Sequence, residues 1–118
     1  MDHSTALTTL VEGNIFQASF PNGASCICLV NSIADDEIRA TRITTQEKFV
    51  FDRATGAAVI GDGLAVCTIN SIAPLPAEIH ETLLQLDRRY GSGDYPTLRR
   101  EEIDALLFVE GFYPAHPL

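Results

Sequence analysis

Between Gly13 and Ile72 the apolar residues fall in short runs rich in Val, Ile, Phe and Thr, broken every few positions by turn formers. That pattern belongs to strands joined by tight turns. Six strands are predicted, at 13–20, 24–33, 37–44, 47–53, 57–61 and 64–72. Pro21-Asn22-Gly23 offers a fixed φ followed by two residues tolerant of positive φ, and Asp62-Gly63 suits a two-residue primed turn. Ala34-Asp35-Asp36 and Thr44-Thr45-Gln46 are polar breaks, while Asp52 to Gly56 reads as a longer loop with Gly56 in the left-handed region. No gap has room for a crossover helix. Consecutive strands are therefore expected to pair antiparallel, as a meander that curls into a small barrel or a strongly bent sheet.

Alternation within the runs predicts burial. Phe49 and Phe51 share one face of their strand, and Lys48, Val50 and Asp52 share the other, as on a half-exposed strand. The runs Cys26-Ile27-Cys28-Leu29-Val30 and Leu64-Ala65-Val66-Cys67-Thr68-Ile69 are apolar on both faces. These two strands are expected to be the most covered, by the sheet interior on one side and by helices on the other.

After Ile72 the period changes. Pro74 and Pro76 break the sheet, and Ile79, Leu83, Leu86 and Tyr90 recur at helical spacing over about 77–90, with Gly91 as the stop. Thr97 is the expected cap of a second helix, with Ile103, Leu106, Leu107 and Glu110 on its inner, mostly apolar face and Gly111 at its end. The fold class read from the sequence is thus α+β: an antiparallel β-meander of about six strands followed by two C-terminal amphipathic helices. Residues 1–118 read as one domain, with 1–12 an N-terminal segment expected to be mobile, 13–72 the meander and 73–118 the helical part.

Composition narrows the function classes. The 118 residues carry eight Lys and Arg against sixteen Asp and Glu, a formal charge of −8 that is spread evenly along the chain. Phosphate backbones are bound chiefly by cationic side chains, so nucleic acid is not the expected partner. No apolar run reaches the ~20 residues needed to span a bilayer, and Met1-Asp2-His3-Ser4 lacks the basic start of a secretory signal. The odd cysteine count (Cys26, Cys28, Cys67) leaves at least one free thiol, which fits a reducing compartment and a cytoplasmic location. A cationic protein partner suits the acidic field.

Candidate chemistry is sparse. Cys26-x-Cys28 projects both thiols to one face of a strand, whereas structural zinc sites use wider spacings on turns. The thiols are expected to be buried structural groups, with no metal or cofactor implied. His80, between Glu78 and Glu81, is the least implausible general base. Asp35-Asp36-Glu37 lacks the alternate spacing of a calcium loop, and no nucleophile elbow or phosphate-cradling glycine motif is present. Arg88-Arg89 and Arg99-Arg100 flank the interhelix loop and together form a candidate anion site. Phe108, Phe112 and Tyr113, close to the C-terminus, close the core or anchor a partner or a second copy of the chain. A non-enzymatic binding or interaction domain is the function these features favour, ahead of a small enzyme assembled in three dimensions or a small-molecule sensor.

Overall fold

A computed structural model describes residues 3–59, 65–93 and 97–118. Six strands, β1 (Ile15–Ser19), β2 (Ser25–Ile33), β3 (Glu37–Arg42), β4 (Lys48–Asp52), β5 (Ala57–Val59) and β6 (Ala65–Ser71), form an antiparallel meander that closes into a barrel. Closure is made by β1, which pairs with β2 along one edge and with β6 along the other. Register shifts at Gln17/Ala18, Val30/Ser32 and Ala58/Val59 bend the strands around the curve, as bulges do. The Asp62-Gly63 turn lies outside the described residues. Gly56 takes its expected positive φ of 78°. Gln46 also sits in the left-handed region, at φ 64°, and is held there by its side chain, which donates to Ile43 O at 2.9 Å and to Asp87 Oδ1 at 3.0 Å.

The barrel interior is built from alternate residues of the strands: Phe16 and Ala18, Cys26, Cys28 and Val30, Ile38 and Ala40, Phe51, Ala58, Cys67 and Ile69. Since about eight strands give an interior just filled by ordinary side chains, six leave room mainly for small ones. Alanine and cysteine supply most of them. Phe16 and Phe51 meet edge to face at 5.2 Å. Phe49 and Phe51 face inward and Lys48, Val50 and Asp52 outward, as the alternation predicts.

One end of the barrel is stoppered by the N-terminal segment, which the sequence reading left mobile. A short helix α1 (His3–Leu7) leads into a turn, and Leu7 and Leu10 are both buried in the barrel core. Arg53 ties this plug down by donating to Thr8 O and Ala34 O, each at 3.2 Å. Barrel closure leaves an open end whose apolar lining needs a cover, and these leucines provide it.

The helices α2 (Ala77–Gly91) and α3 (Arg100–Phe112) cover one outer face of the barrel. Ile15, Ile27, Leu29 and Ile43 form a second core with Leu83, Leu86, Ala105, Val109 and Tyr113. β2 is covered on both sides as expected, and so is β1. The expectation fails for β6, whose burial simply alternates, because the helices settle over β1 and β2 and leave the outer side of β6 only half-buried. The stripe Ile79, Leu83, Leu86 and Tyr90 does face the core. On α3 the expected inner face holds only for Leu106, which packs against the second core, and not for Ile103, Leu107 and Glu110, which are exposed. The buried positions are Glu102, Ala105 and Val109, one step around the helix from Ile103, Leu107 and Glu110. Its cap also differs: Arg99, not Thr97, precedes the first turn, and the helix runs past Gly111 to Phe112.

The C-terminal segment is anchored. Tyr113 is fully buried and its hydroxyl donates to Ile15 O at 3.2 Å. Ser71 Oγ donates to His116 O at 2.6 Å, and Leu118 N to Asn70 O at 2.9 Å. Deleting residues 112–118 is expected to cost at least ~3 kcal/mol in urea unfolding, the scale of removing a buried aromatic, whereas Tyr113→Phe costs about 1 kcal/mol for the lost hydrogen bond. A truncated chain with an unchanged urea midpoint would contradict this anchoring.

Candidate functional site

Three places bring chemistry-bearing side chains together. The first is the junction of the helices. Glu102 is only 3% exposed, and both its carboxylate oxygens accept from Arg89 Nη1. It also accepts from the Arg99 backbone N–H at 2.7 Å, so one carboxylate joins the end of α2 to the start of α3. A carboxylate in the first turn is favoured by the helix dipole as well. Burial on its own would raise the Glu102 pKa. The Arg89 hydrogen bond and charge, and the Arg99 N–H, outweigh it and hold the group below the ordinary glutamate value.

This junction contains all four arginines of the candidate anion site. Arg89 is engaged by Glu102, Arg88 pairs with Glu81 at 3.5 Å and Arg100 with Asp104 at 3.1 Å. Carboxylates of the chain itself thus take three of the four guanidiniums, and Arg99 contributes its backbone.

The second place is the outer face of α3. Ile103, Leu107 and Phe108 are 39, 60 and 40% exposed. Phe108 stacks on Phe112 at 5.4 Å between ring centres, and Phe112 on His116 at 4.5 Å. Of the three aromatics singled out in the sequence, Tyr113 belongs to the core, Phe112 is half-buried and Phe108 faces solvent. Exposed carboxylates flank the strip: Asp104, paired with Arg100, and Glu101 and Glu110, which have no ion pair among the described residues.

The third is the barrel mouth opposite the α1 plug. Arg42 lies over the Phe20 ring at 5.2 Å and pairs with Glu47 at 3.2 Å. It lines, with Gln17, Ser25, Cys26, Thr44 and Glu110, a cavity of about 210 Å³ beneath α3. Drug-sized ligands occupy pockets of ~300 Å³ or more, so this one falls below that range. Cys26, Cys28 and Cys67 are all buried free thiols. The Cys26 and Cys28 sulfurs are 3.9 Å apart. Among the described residues no group of three or more His, Cys, Asp or Glu side chains is arranged to hold a metal ion.

His80 lines a cavity of about 350 Å³ with Thr9, Asn14 and Leu75. A general base needs an orienting partner, and among the described residues none hydrogen-bonds its ring. Asp35 and Asp36 border an open depression beside Arg53 and Thr8. Sequence reasoning missed the buried role of Glu102, the Leu7/Leu10 plug and the Arg42–Phe20 pair. The first was signalled by a Glu three residues past a helix start, the second by i, i+3 leucines. Nothing local signalled the third.

Together these elements describe a small closed antiparallel barrel with a helical pair clamped on its outer face. Comparison with protein-family models, curated protein sequences and solved structures finds no match for the chain. Among the described residues no helix is long and apolar enough to cross a membrane.

The clamp makes a pH prediction. Because the folded-state pKa of Glu102 is lowered, its contribution is present above the ordinary carboxylate range and is lost as pH falls through the folded value. Glu102→Gln leaves Arg89 buried without its counter-charge and is expected to cost about 3 kcal/mol at neutral pH. The gap to the parent protein should narrow steadily in acid, followed by urea unfolding across pH. A gap independent of pH would mean that the pair is not ionised in the fold.

Proposed function

We propose that the protein is a non-enzymatic interaction domain that binds a cationic amphipathic segment of a partner protein along the outer face of α3. The observation behind this reading is the apolar strip that the helix leaves on its outer face while its inner face takes in a carboxylate. It buries a glutamate at 3% exposure and turns Leu107 outward at 60%. Leaving Ile103, Leu107 and Phe108 in water forgoes burial worth roughly 25 cal/mol per Å² of apolar surface. A partner that covers them recovers it.

Charge selects the partner. The strip is bordered by Glu101, Asp104 and Glu110 in a chain of formal charge −8, so Lys or Arg flanking an apolar i, i+3, i+4, i+7 stripe meets complementary potential. The same field disfavours a second copy of the chain and a nucleic acid backbone. The free thiols are consistent with a reducing, cytoplasmic setting.

The test uses designed peptides of identical Leu pattern, one with Lys and one with Glu on the polar face, titrated while amide shifts are followed by NMR. The Lys peptide is expected to bind, with shifts concentrated on α3, and Leu107→Asp is expected to weaken it at least ~tenfold, as for an interface anchor. Equal binding of both peptides, or shifts centred elsewhere, would refute the reading. So would sedimentation showing a dimer that Leu107→Asp dissociates.

A further inference from the structure

The three thiols go beyond a docking role. Interior positions of a narrow barrel need small apolar side chains, and alanine meets that need at positions 18, 40 and 58 without redox chemistry. Cysteine occupies three others, Cys26 and Cys28 on β2 and Cys67 on β6, all on inward-facing positions. Cys26 is 6% exposed and borders the cavity at the Arg42 mouth. Cys28 is completely buried and is the register partner of Arg42 across the β2–β3 ladder. Arg42 itself keeps its Nε buried with no hydrogen-bond partner among the described residues. Cys26 thus borders a cavity with a guanidinium on its wall, and a second thiol lies 3.9 Å from its sulfur.

We propose that Cys26 and Cys28 form an oxidisable dithiol, in which a small hydroperoxide entering the mouth cavity oxidises Cys26 and Cys28 then closes a disulfide within β2. In the first step the Cys26 thiolate attacks the distal oxygen of the hydroperoxide. The O–O bond breaks, Cys26 becomes a sulfenic acid, and hydroxide or alkoxide leaves, taking a proton to give water or alcohol. In the second, the Cys28 sulfur attacks the Cys26 sulfur. The S–S bond forms as the S–O bond breaks, and the departing oxygen takes up the Cys28 proton as water.

The environment assigns the roles. Hydrogen bonding with Cys28 and Cys67 lowers the Cys26 pKa, desolvation opposes it, and the Arg42 charge adds to the lowering. The same contacts and burial raise the Cys28 and Cys67 pKa values. Of the three thiols Cys26 is the most exposed, at 6%, and it borders the cavity, so oxidation starts there rather than at its deeper neighbours, with thiolate as the form that reacts. Residues two apart in an extended strand place their Cα atoms roughly 6.6–6.8 Å apart, at the upper limit of ~6.8 Å for a disulfide. The bridge therefore strains β2, and strained disulfides are the easily reduced ones.

The test treats the native protein with hydrogen peroxide, alkylates and maps the peptides by mass spectrometry. Free thiols are expected to fall from three to one, leaving Cys67 alkylated and the peptide carrying residues 26 and 28 lighter by two hydrogens. In Cys28→Ala, a 1,3-diketone probe is expected to trap sulfenic acid at Cys26. Cys67→Ala is expected to form the same disulfide as the parent, which separates resolving from bystander thiols without depending on the stability of the other variant. Three alkylatable thiols after treatment, a bridge to Cys67, or sulfenic acid first at Cys28 or Cys67 would each overturn the proposal.

Discussion

The constraint on which the structure depends is closure of a barrel with only six strands. The hydrogen bonds of β1 to both β2 and β6 remove the free edges of the meander, and with them the usual liability of an exposed strand edge. Closure also makes the interior narrow. Large side chains cannot occupy every inward position, so Phe16 and Phe51 share the space with alanines and cysteines. Two consequences follow: both ends need a cover, and apolar residues that do not fit inside must be buried outside. Leu7 and Leu10 cover one end, Phe20 and Arg42 the other. Ile15, Ile27, Leu29 and Ile43 point outward, and the helical pair exists structurally to cover them.

How that pair sits decides which surface remains. An isolated α3 would centre its buried face on Ile103, Leu106 and Leu107, of which only Leu106 packs against the core. The observed roll is instead set by two anchors at its ends, the Arg89–Glu102 pair at the start and the buried Tyr113 just past the end. A buried ion pair gives little net stability compared with apolar residues of similar shape, but breaking it is costly. Its effect here is on geometry: once Glu102 faces α2, Ala105 and Val109 must face the barrel and Leu107 must face water. The exposed apolar strip and the clamp are thus one arrangement seen from opposite sides of the helix.

Confinement also shapes the thiols. Inward-facing cysteines satisfy the volume of the narrow interior, and curvature brings Cys67 of β6 towards Cys26 of β2 across β1. Because Cys26 lies nearest the Arg42 mouth, the three groups are chemically unequal although all are buried. Packing, access and charge thus act on the same side chains.

Local pattern was enough for the strands, their antiparallel order and the two helices, because period two, period 3.6 and turn residues such as Gly23 and Gly56 act over a few positions. The inward face of Phe49 and Phe51 and the inner stripe of α2 were legible for the same reason. Tertiary structure decided what depends on distant partners. Closure of the sheet rests on β1 meeting β6, some fifty residues away. The coverage of β1 in place of β6 follows from where the helices land, and the roll of α3 from an arginine on another helix and a hydroxyl that reaches Ile15. The same holds for the candidate site. Each cysteine, arginine and aromatic is visible in the chain, but their inequality arises only when a closed barrel gives Cys26 a cavity, commits Arg89 to Glu102 and leaves Leu107 and Phe108 in water while Tyr113 is buried.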